Sequence, residues 1–276
     1  MKKAVCLYSD IIQHDFISMN QRLEALSQCF GDDVDFYIHS GAPVPGLDTS
    51  KMSGVEVSED ETSPDRISDL MAKSKRIGFS RKMVDHLKQI YRKWYSLKRS
   101  YEMAASKSEY DCVVALDVNF IMRRKFYGDE KFLIDPDSIY FPLWSMNEFK
   151  CAICDLIAIS SQENIGILSE IYDRISEYLS DGSDFEKHIM SLNEVANGVP
   201  PNPIHLLNNQ TILRWHAVNV KEMDIKFWGL KGLDFDLSFM HGKSETGYPN
   251  GVPFDTLHPV SFELGQSNLS GPVGIH

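Results

Sequence analysis

The first forty residues constrain the fold more than any other part of the chain. Residues 4–8 (AVCLY) form a short, continuously apolar run, which is typical of a strand buried on both faces of a sheet. Residues 11–29 carry apolar side chains at helical spacing, and after a Gly-Asp-Asp turn residues 34–39 (VDFYIH) have the composition of a second strand. A strand, a helix and a strand at this spacing predict a βαβ unit and a parallel sheet.

The rest of the pattern extends this α/β architecture. Residues 40–66 predict a long loop with a short edge strand near residues 55–57. We predict further strands and helices from apolar runs and helical periodicity: strands at 110–116, 139–146 and 152–159, and helices at 82–106, 162–180 and 203–218. From about residue 227, Gly and Pro recur without helical periodicity. We therefore expect one domain over residues 1–276, with a core at 1–226 and a loop-rich tail at 227–276.

Charge and hydropathy exclude several classes of protein. The chain has 28 basic and 39 acidic residues, a net charge of −11, which argues against a general nucleic-acid-binding protein because such a protein needs a basic surface. Its apolar runs are too short for a signal peptide or a transmembrane segment, which predicts a cytoplasmic protein. The cysteines lie mostly in apolar runs, as expected of reduced core thiols: Cys6, Cys29, Cys112, Cys151 and Cys154.

The strand at 110–116 leads into a polar pair, Asp117 and Asn119. Side chains two residues apart in an extended chain point to the same side, here at the carboxyl edge of the predicted sheet. Ligands bind at this edge in open α/β folds, and carboxylate and amide oxygens suit Mg²⁺ or Mn²⁺. The alternative is that both residues only form the turn after the strand.

Several segments, in order, resemble a group of bacterial and viral glycosyltransferases with the GT-A fold. AVCLYSD and VDFYIHS match the first two strands of that group, and WYSLKRSYEM at 94–103 resembles its central helix. YDCVVALDVN at 110–119 is similar to its YDxVIRxRPD motif, and DLIAISS at 155–161 is similar to its DLFAxGS motif. The similarity covers roughly residues 1–220.

The resemblance implies a GT-A-like, mixed but mostly parallel sheet flanked by helices, and a nucleotide-sugar donor (UDP-, GDP- or TDP-sugar). It further implies transfer to a glycan or lipid-linked acceptor. The chain departs from the group at the strand end, where Asp117 replaces the second Arg of the motif and Asn119 replaces its final Asp. The result resembles the Asp-x-Asp element of metal-dependent GT-A enzymes, with the weaker amide ligand in the last place.

We assign candidate roles on this basis. Asp117 and Asn119 would hold a divalent cation (Mn²⁺ or Mg²⁺) at the donor's diphosphate, with His241 of the tail as a third ligand. Ser9 and Asp10, after the first strand, would bind the nucleoside.

Tyr95 and Arg99 lie one helical turn apart and are further candidates for binding the donor, since a guanidinium suits phosphate. Asp155 interrupts the apolar run CAICDLIAI and is the candidate catalytic base, because a carboxylate there costs free energy unless it is paired or functional. Each of these residues also has a structural explanation, such as a turn, a solvated helix face or a buried, hydrogen-bonded carboxylate.

Two other functions remain open. A nucleotidyltransferase would use the same strand-end oxygens, although the basic Gly-rich loop usual after its first strand is missing from YSDIIQHD. A catalytically degenerate domain that binds a nucleotide or carbohydrate is the second alternative, because Asn119 replaces a carboxylate. The sequence contains neither the GxGxxG expected of an NAD-dependent oxidoreductase nor a GxxxxGK[ST] P-loop.

Overall fold

In a computed structural model of the protein, the described residues are 1–8, 19–31, 33–44, 46–73, 81–118, 120–122, 135–142, 153–197, 206–228, 235–237 and 259–260. The strands among them are β1 (Lys3–Tyr8), β2 (Val34–Ser40), β3 (Gly54–Val57), β4 (Cys112–Asp117), β5 (Phe120–Met122), β6 (Ser138–Pro142), β7 (Ile157–Ser160), β8 (Asp224–Trp228), β9 (Phe235–Leu237) and β10 (Pro259–Val260).

The main sheet is mixed and mostly parallel. Its eight strands lie in the order β10-β8-β6-β7-β4-β1-β2-β3, and β5 pairs with β9 in a separate two-stranded sheet. Strands β1 to β4 are parallel to one another, β7 runs antiparallel to both of its neighbours, and β6 is parallel to β8. The expected α/β fold with a mixed, mostly parallel sheet is confirmed. The edge strand expected near residues 55–57 is also confirmed, as β3.

The helices are α1 (Met19–Phe30), α2 (Ser63–Lys73), α3 (Arg81–Lys107), α4 (Gln162–Ser169), α5 (Ile171–Tyr178), α6 (Asp184–Asn197) and α7 (Asn209–Arg214), which continues into a π-helical turn at Trp215–Val220. They divide between two cores, because alternate strand residues point to opposite faces of the sheet. Ala4 and Cys6 of β1 face α3, whereas Val5 and Leu7 face α1. Strand β1 is thus buried on both faces, as its continuous apolar run predicts.

The helix predictions need four corrections. Helix α2 begins inside the predicted 40–66 loop, where Asp60 accepts hydrogen bonds from the backbone N–H groups of Thr62 and Ser63. The single helix expected at 162–180 is two helices, α4 and α5, and α6 was not predicted. The helix expected at 203–218 starts later, at Asn209, because Asn208 caps it.

Other expectations hold in part. Strand β7 begins at Ile157, five residues later than predicted. The strand predicted at 139–146 is described only as far as Pro142, as β6 (Ser138–Pro142).

The division into a core and a tail stays a prediction, since most of residues 227–276 lie outside the described residues. Of the cysteines, Cys151 lies outside them and the other four are buried. None of the described helices is both long enough and apolar enough to cross a membrane.

Two buried histidines predict how stability depends on pH. His39 lies between the hydroxyls of Ser96 and Ser58, and His216 lies between the Tyr178 hydroxyl and the Ile167 carbonyl. Burial lowers the pKa of each imidazole from 6.5 to about 4. Between these values the unfolded chain binds more protons than the folded chain, so the free energy of unfolding should fall as pH falls from about 6.5 towards 5.

Urea denaturation at a series of pH values measures this effect. His216→Gln removes one of the groups that carry this effect, so we expect the pH dependence of the free energy of unfolding in this window to weaken in the variant. If the free energy of unfolding changes equally with pH in the wild type and the variant, His216 does not contribute to the pH dependence.

Candidate functional site

Helix α3 carries a lysine on its buried side. Lys93 is buried together with the smaller side chains of Ser96, Ser100 and Ala104, which follow it on the same side of the helix. These small side chains let the helix approach the sheet closely, and the Cys6 thiol donates a hydrogen bond to the Ser100 carbonyl. The ammonium group of Lys93 is thereby held over the sheet rather than in solvent.

The carboxyl ends of β1 and β4 meet the start of β7 at one edge of the sheet. Tyr8, the last residue of β1, lies beside Asp117, the last residue of β4. The Asp117 N–H donates to the Leu156 carbonyl at 2.7 Å, and the Val118 N–H donates to the Tyr8 carbonyl at 2.9 Å. The Tyr8 hydroxyl donates to the Asp155 carbonyl at 2.7 Å. These bonds bring the two aspartates predicted from sequence, Asp117 and Asp155, to the same edge.

Lys93 joins the two aspartates. Its Nζ atom lies 2.7 Å from Oδ2 of Asp155 and 3.1 Å from Oδ2 of Asp117. The same Nζ lies 5.7 Å from the centre of the Tyr8 ring. The exposed fractions are 5% for Lys93, 3% for Asp117, 7% for Asp155 and 3% for Tyr8. We call these four residues the strand-end cluster.

The charges of the cluster stabilise one another. Burial by itself would lower the pKa of Lys93, but the carboxylates of Asp155 and Asp117 outweigh it and hold that pKa well above its usual range. Burial raises the pKa of Tyr8, so its phenol stays neutral. At neutral pH the cluster therefore contains one ammonium group, and Tyr8 serves as a hydrogen-bond donor.

A second cation approaches from the opposite face of the sheet. Arg22 of α1 is 5% exposed, and its Nη1 donates a hydrogen bond to the Val118 carbonyl, one residue after Asp117. Lys93 and Arg22 thus bring two positive charges to the edge where Asp117 and Asp155 lie.

Tyr95 and Arg99 occupy a different region, near β2 and β3. Arg99 binds Glu56 of β3 through two parallel hydrogen bonds, Nε to Oε1 at 2.9 Å and Nη2 to Oε2 at 2.8 Å. These hydrogen bonds from Arg99 lower the pKa of Glu56. The Tyr95 ring packs against the rings of His39 and Tyr172, at centroid distances of 5.1 and 5.2 Å. These contacts tie α3 to β2, β3 and α5.

The remaining predicted site residues lie outside the described residues: Ser9, Asp10, Asn119 and His241. The divalent-cation site expected from Asp117, Asn119 and His241 therefore stays a prediction. Its described member fits a divalent cation poorly, because the Asp117 carboxylate is already bound by the Lys93 ammonium group. Within the described ranges, no three His, Cys, Asp or Glu side chains are grouped so that they could hold a metal ion.

Sequence reasoning missed Lys93 and Arg22. The helical periodicity that predicts α3 rests on a stripe of large apolar side chains, such as Leu87, Ile90 and Trp94, and such a stripe does not mark a buried lysine. The buried arc of α3 is wider, because Ser96, Ser100 and Ala104 recur every four residues beside the stripe. This recurrence of small residues next to a lysine is the signal that could have identified Lys93.

No protein-family model matches the chain, and no curated protein matches its sequence significantly.

Chemically, the strand-end cluster can hold two carboxylates in fixed positions. Beside Asp155 is a small apolar void with room for no more than about one water molecule, so a larger ligand cannot bind in it.

Removing Lys93 should destabilise the protein strongly, because two carboxylates would lose their buried cation. We expect Lys93→Met to lower the free energy of unfolding by about 3–5 kcal/mol in urea denaturation. The matched control is Lys98→Met on the same helix, whose ion pair with Asp173 is partly exposed. Lys98→Met should lower the free energy of unfolding by less than about 1 kcal/mol. Similar losses in both variants would contradict a buried ion cluster at Lys93.

Proposed function

We propose that the protein is a glycosyltransferase that transfers a sugar from a nucleotide-sugar donor to a glycan or lipid-linked acceptor. The observation that carries this proposal is the meeting of Asp117 and Asp155 at the carboxyl edge of β1 and β4. In open α/β sheets this edge is where ligands bind. The mixed, mostly parallel sheet agrees with the GT-A-like fold that the sequence resemblance implies, and that fold is part of the proposal.

Asp155 is the base of the proposed reaction. In an inverting transfer the base takes the proton of the acceptor hydroxyl, whose oxygen attacks the anomeric carbon. The bond from that carbon to the diphosphate breaks, and its electron pair leaves with the phosphate oxygen. Lys93 holds Oδ2 of Asp155, whereas Oδ1 has no hydrogen-bond partner among the described residues. Oδ1 is therefore the oxygen that would accept the proton.

Donor recognition is assigned to the residues around the ends of β1 and β4. Ser9 and Asp10 directly follow β1 in sequence, which supports their proposed contact with the nucleoside. Asp117 remains a donor-site residue in the proposal, as the neighbour of Asp155 across Lys93. The guanidinium of Arg99 is bound by Glu56, so a role in phosphate binding would require that pair to open.

A catalytically degenerate domain that binds a nucleotide or carbohydrate is the second candidate. The burial of Asp117 and Asp155 favours it, because both carboxylates are engaged by one lysine, as in a structural ion cluster. Such a domain would bind the donor without cleaving the bond between its sugar and its diphosphate.

Thermal-shift measurements with UDP-, GDP- and TDP-sugars test the donor class. A ligand that binds the folded chain raises its melting temperature, so we expect one of these nucleotide sugars to do so. A rise with nucleoside triphosphates but with no nucleotide sugar would support a nucleotidyltransferase and contradict the proposal.

Substitution of the proposed base separates the two candidates. Asp155→Asn should reduce the slow hydrolysis of the bound donor by about 100-fold or more while the donor still binds, because the amide cannot accept the proton. The control is Asp173→Asn, which alters a partly exposed carboxylate paired with Lys98. Donor binding by the wild type without any hydrolysis or transfer would favour the degenerate domain.

A further inference from the structure

We propose that the Lys93 ammonium group takes the place of a divalent cation at the strand-end carboxylates, so that this site handles the donor without a metal ion at Asp117. The inference rests on the proposed function for its reference to a donor. Its structural part concerns only Lys93, Asp117 and Asp155.

The geometry places the ammonium group where a shared cation would have to be. Lys93 Nζ is 2.7 Å from Oδ2 of Asp155 and 3.1 Å from Oδ2 of Asp117. Mg²⁺ binds oxygen at about 2.0–2.1 Å, so an ion bridging the same two oxygens would overlap the ammonium group. An ion bound at the other oxygen of Asp117 would have to bind close to a positive charge.

The charge balance at this edge leads to the same conclusion. Among the described residues, Asp117 and Asp155 already share the buried ammonium group of Lys93. A divalent ion added to this arrangement would leave excess positive charge in a buried place, which is costly. Displacing Lys93 instead would leave its ammonium group buried without its two partners.

Lys93 is therefore a positioning residue. It holds Oδ2 of Asp155 and Oδ2 of Asp117 in fixed positions from a helix that also packs against β1 and β2. A divalent ion in a metal-dependent site would supply the same constraint through coordination.

The test is a titration of the full chain with Mn²⁺ alone, followed by calorimetry and by the electron paramagnetic resonance signal of free Mn²⁺. We expect the wild type to bind no Mn²⁺ at submillimolar concentrations. We expect Lys93→Met to gain a Mn²⁺ site, because the variant has two adjacent carboxylates and no competing ammonium group.

Two outcomes of this titration would overturn the inference. One is stoichiometric Mn²⁺ binding by the wild type that Asp117→Asn abolishes. The other is a folded Lys93→Met variant, verified by circular dichroism, that binds no Mn²⁺. If that variant does not fold, the comparison of the wild type with Asp117→Asn decides alone.

A second measurement separates this inference from the proposed function. The thermal shift given by the nucleotide sugar should be the same with EDTA and with Mn²⁺, and a shift that requires Mn²⁺ would overturn the inference. If no nucleotide sugar binds under either condition, the proposed function fails, while the Mn²⁺ titration of the free chain still decides the role of Lys93.

Discussion

The contact of Lys93 with Asp117 and Asp155 is the interaction on which the carboxyl edge of the sheet depends. Burying three charges is costly unless they compensate one another, and here one ammonium group lies between two carboxylates. The contact also fixes α3 over the ends of β1 and β4. Any ligand at this edge therefore meets side chains that are already held in place, and substitutions there affect stability as well as chemistry.

The position of this cluster follows from the alternation of side chains in the central strands. Val113 and Ala115 of β4 face α3, so Asp117 faces α3 as well and meets Lys93. Val114, Leu116 and Val118 point to the other face, which α1 covers, and there Arg22 reaches the Val118 carbonyl. Both helices thus direct a cation to the point where β4 ends.

The sequence predicts the parts of this arrangement that leave a local pattern. Continuous apolar runs identify β1 and β4. Asp117 is conspicuous because it ends the apolar run of β4, and Asp155 is conspicuous because it interrupts the apolar run CAICDLIAI. Lys93 is not conspicuous, because its partners are 24 and 62 residues away along the chain and no local pattern records such contacts. Arg99 has the expected helical spacing from Tyr95, but its partner Glu56 is 43 residues away along the chain, and no local pattern records that contact.

In the proposed reaction the two oxygens of Asp155 would have different roles. A base must be held firmly and must still present a lone pair to the substrate. Because Lys93 binds Oδ2, an acceptor hydroxyl that bound Oδ2 would have to break that contact and leave a buried ammonium group with one partner fewer. Approach to Oδ1 leaves the contact intact. In the proposed reaction the acceptor hydroxyl would therefore bind Oδ1, while Lys93 keeps its contact with Oδ2.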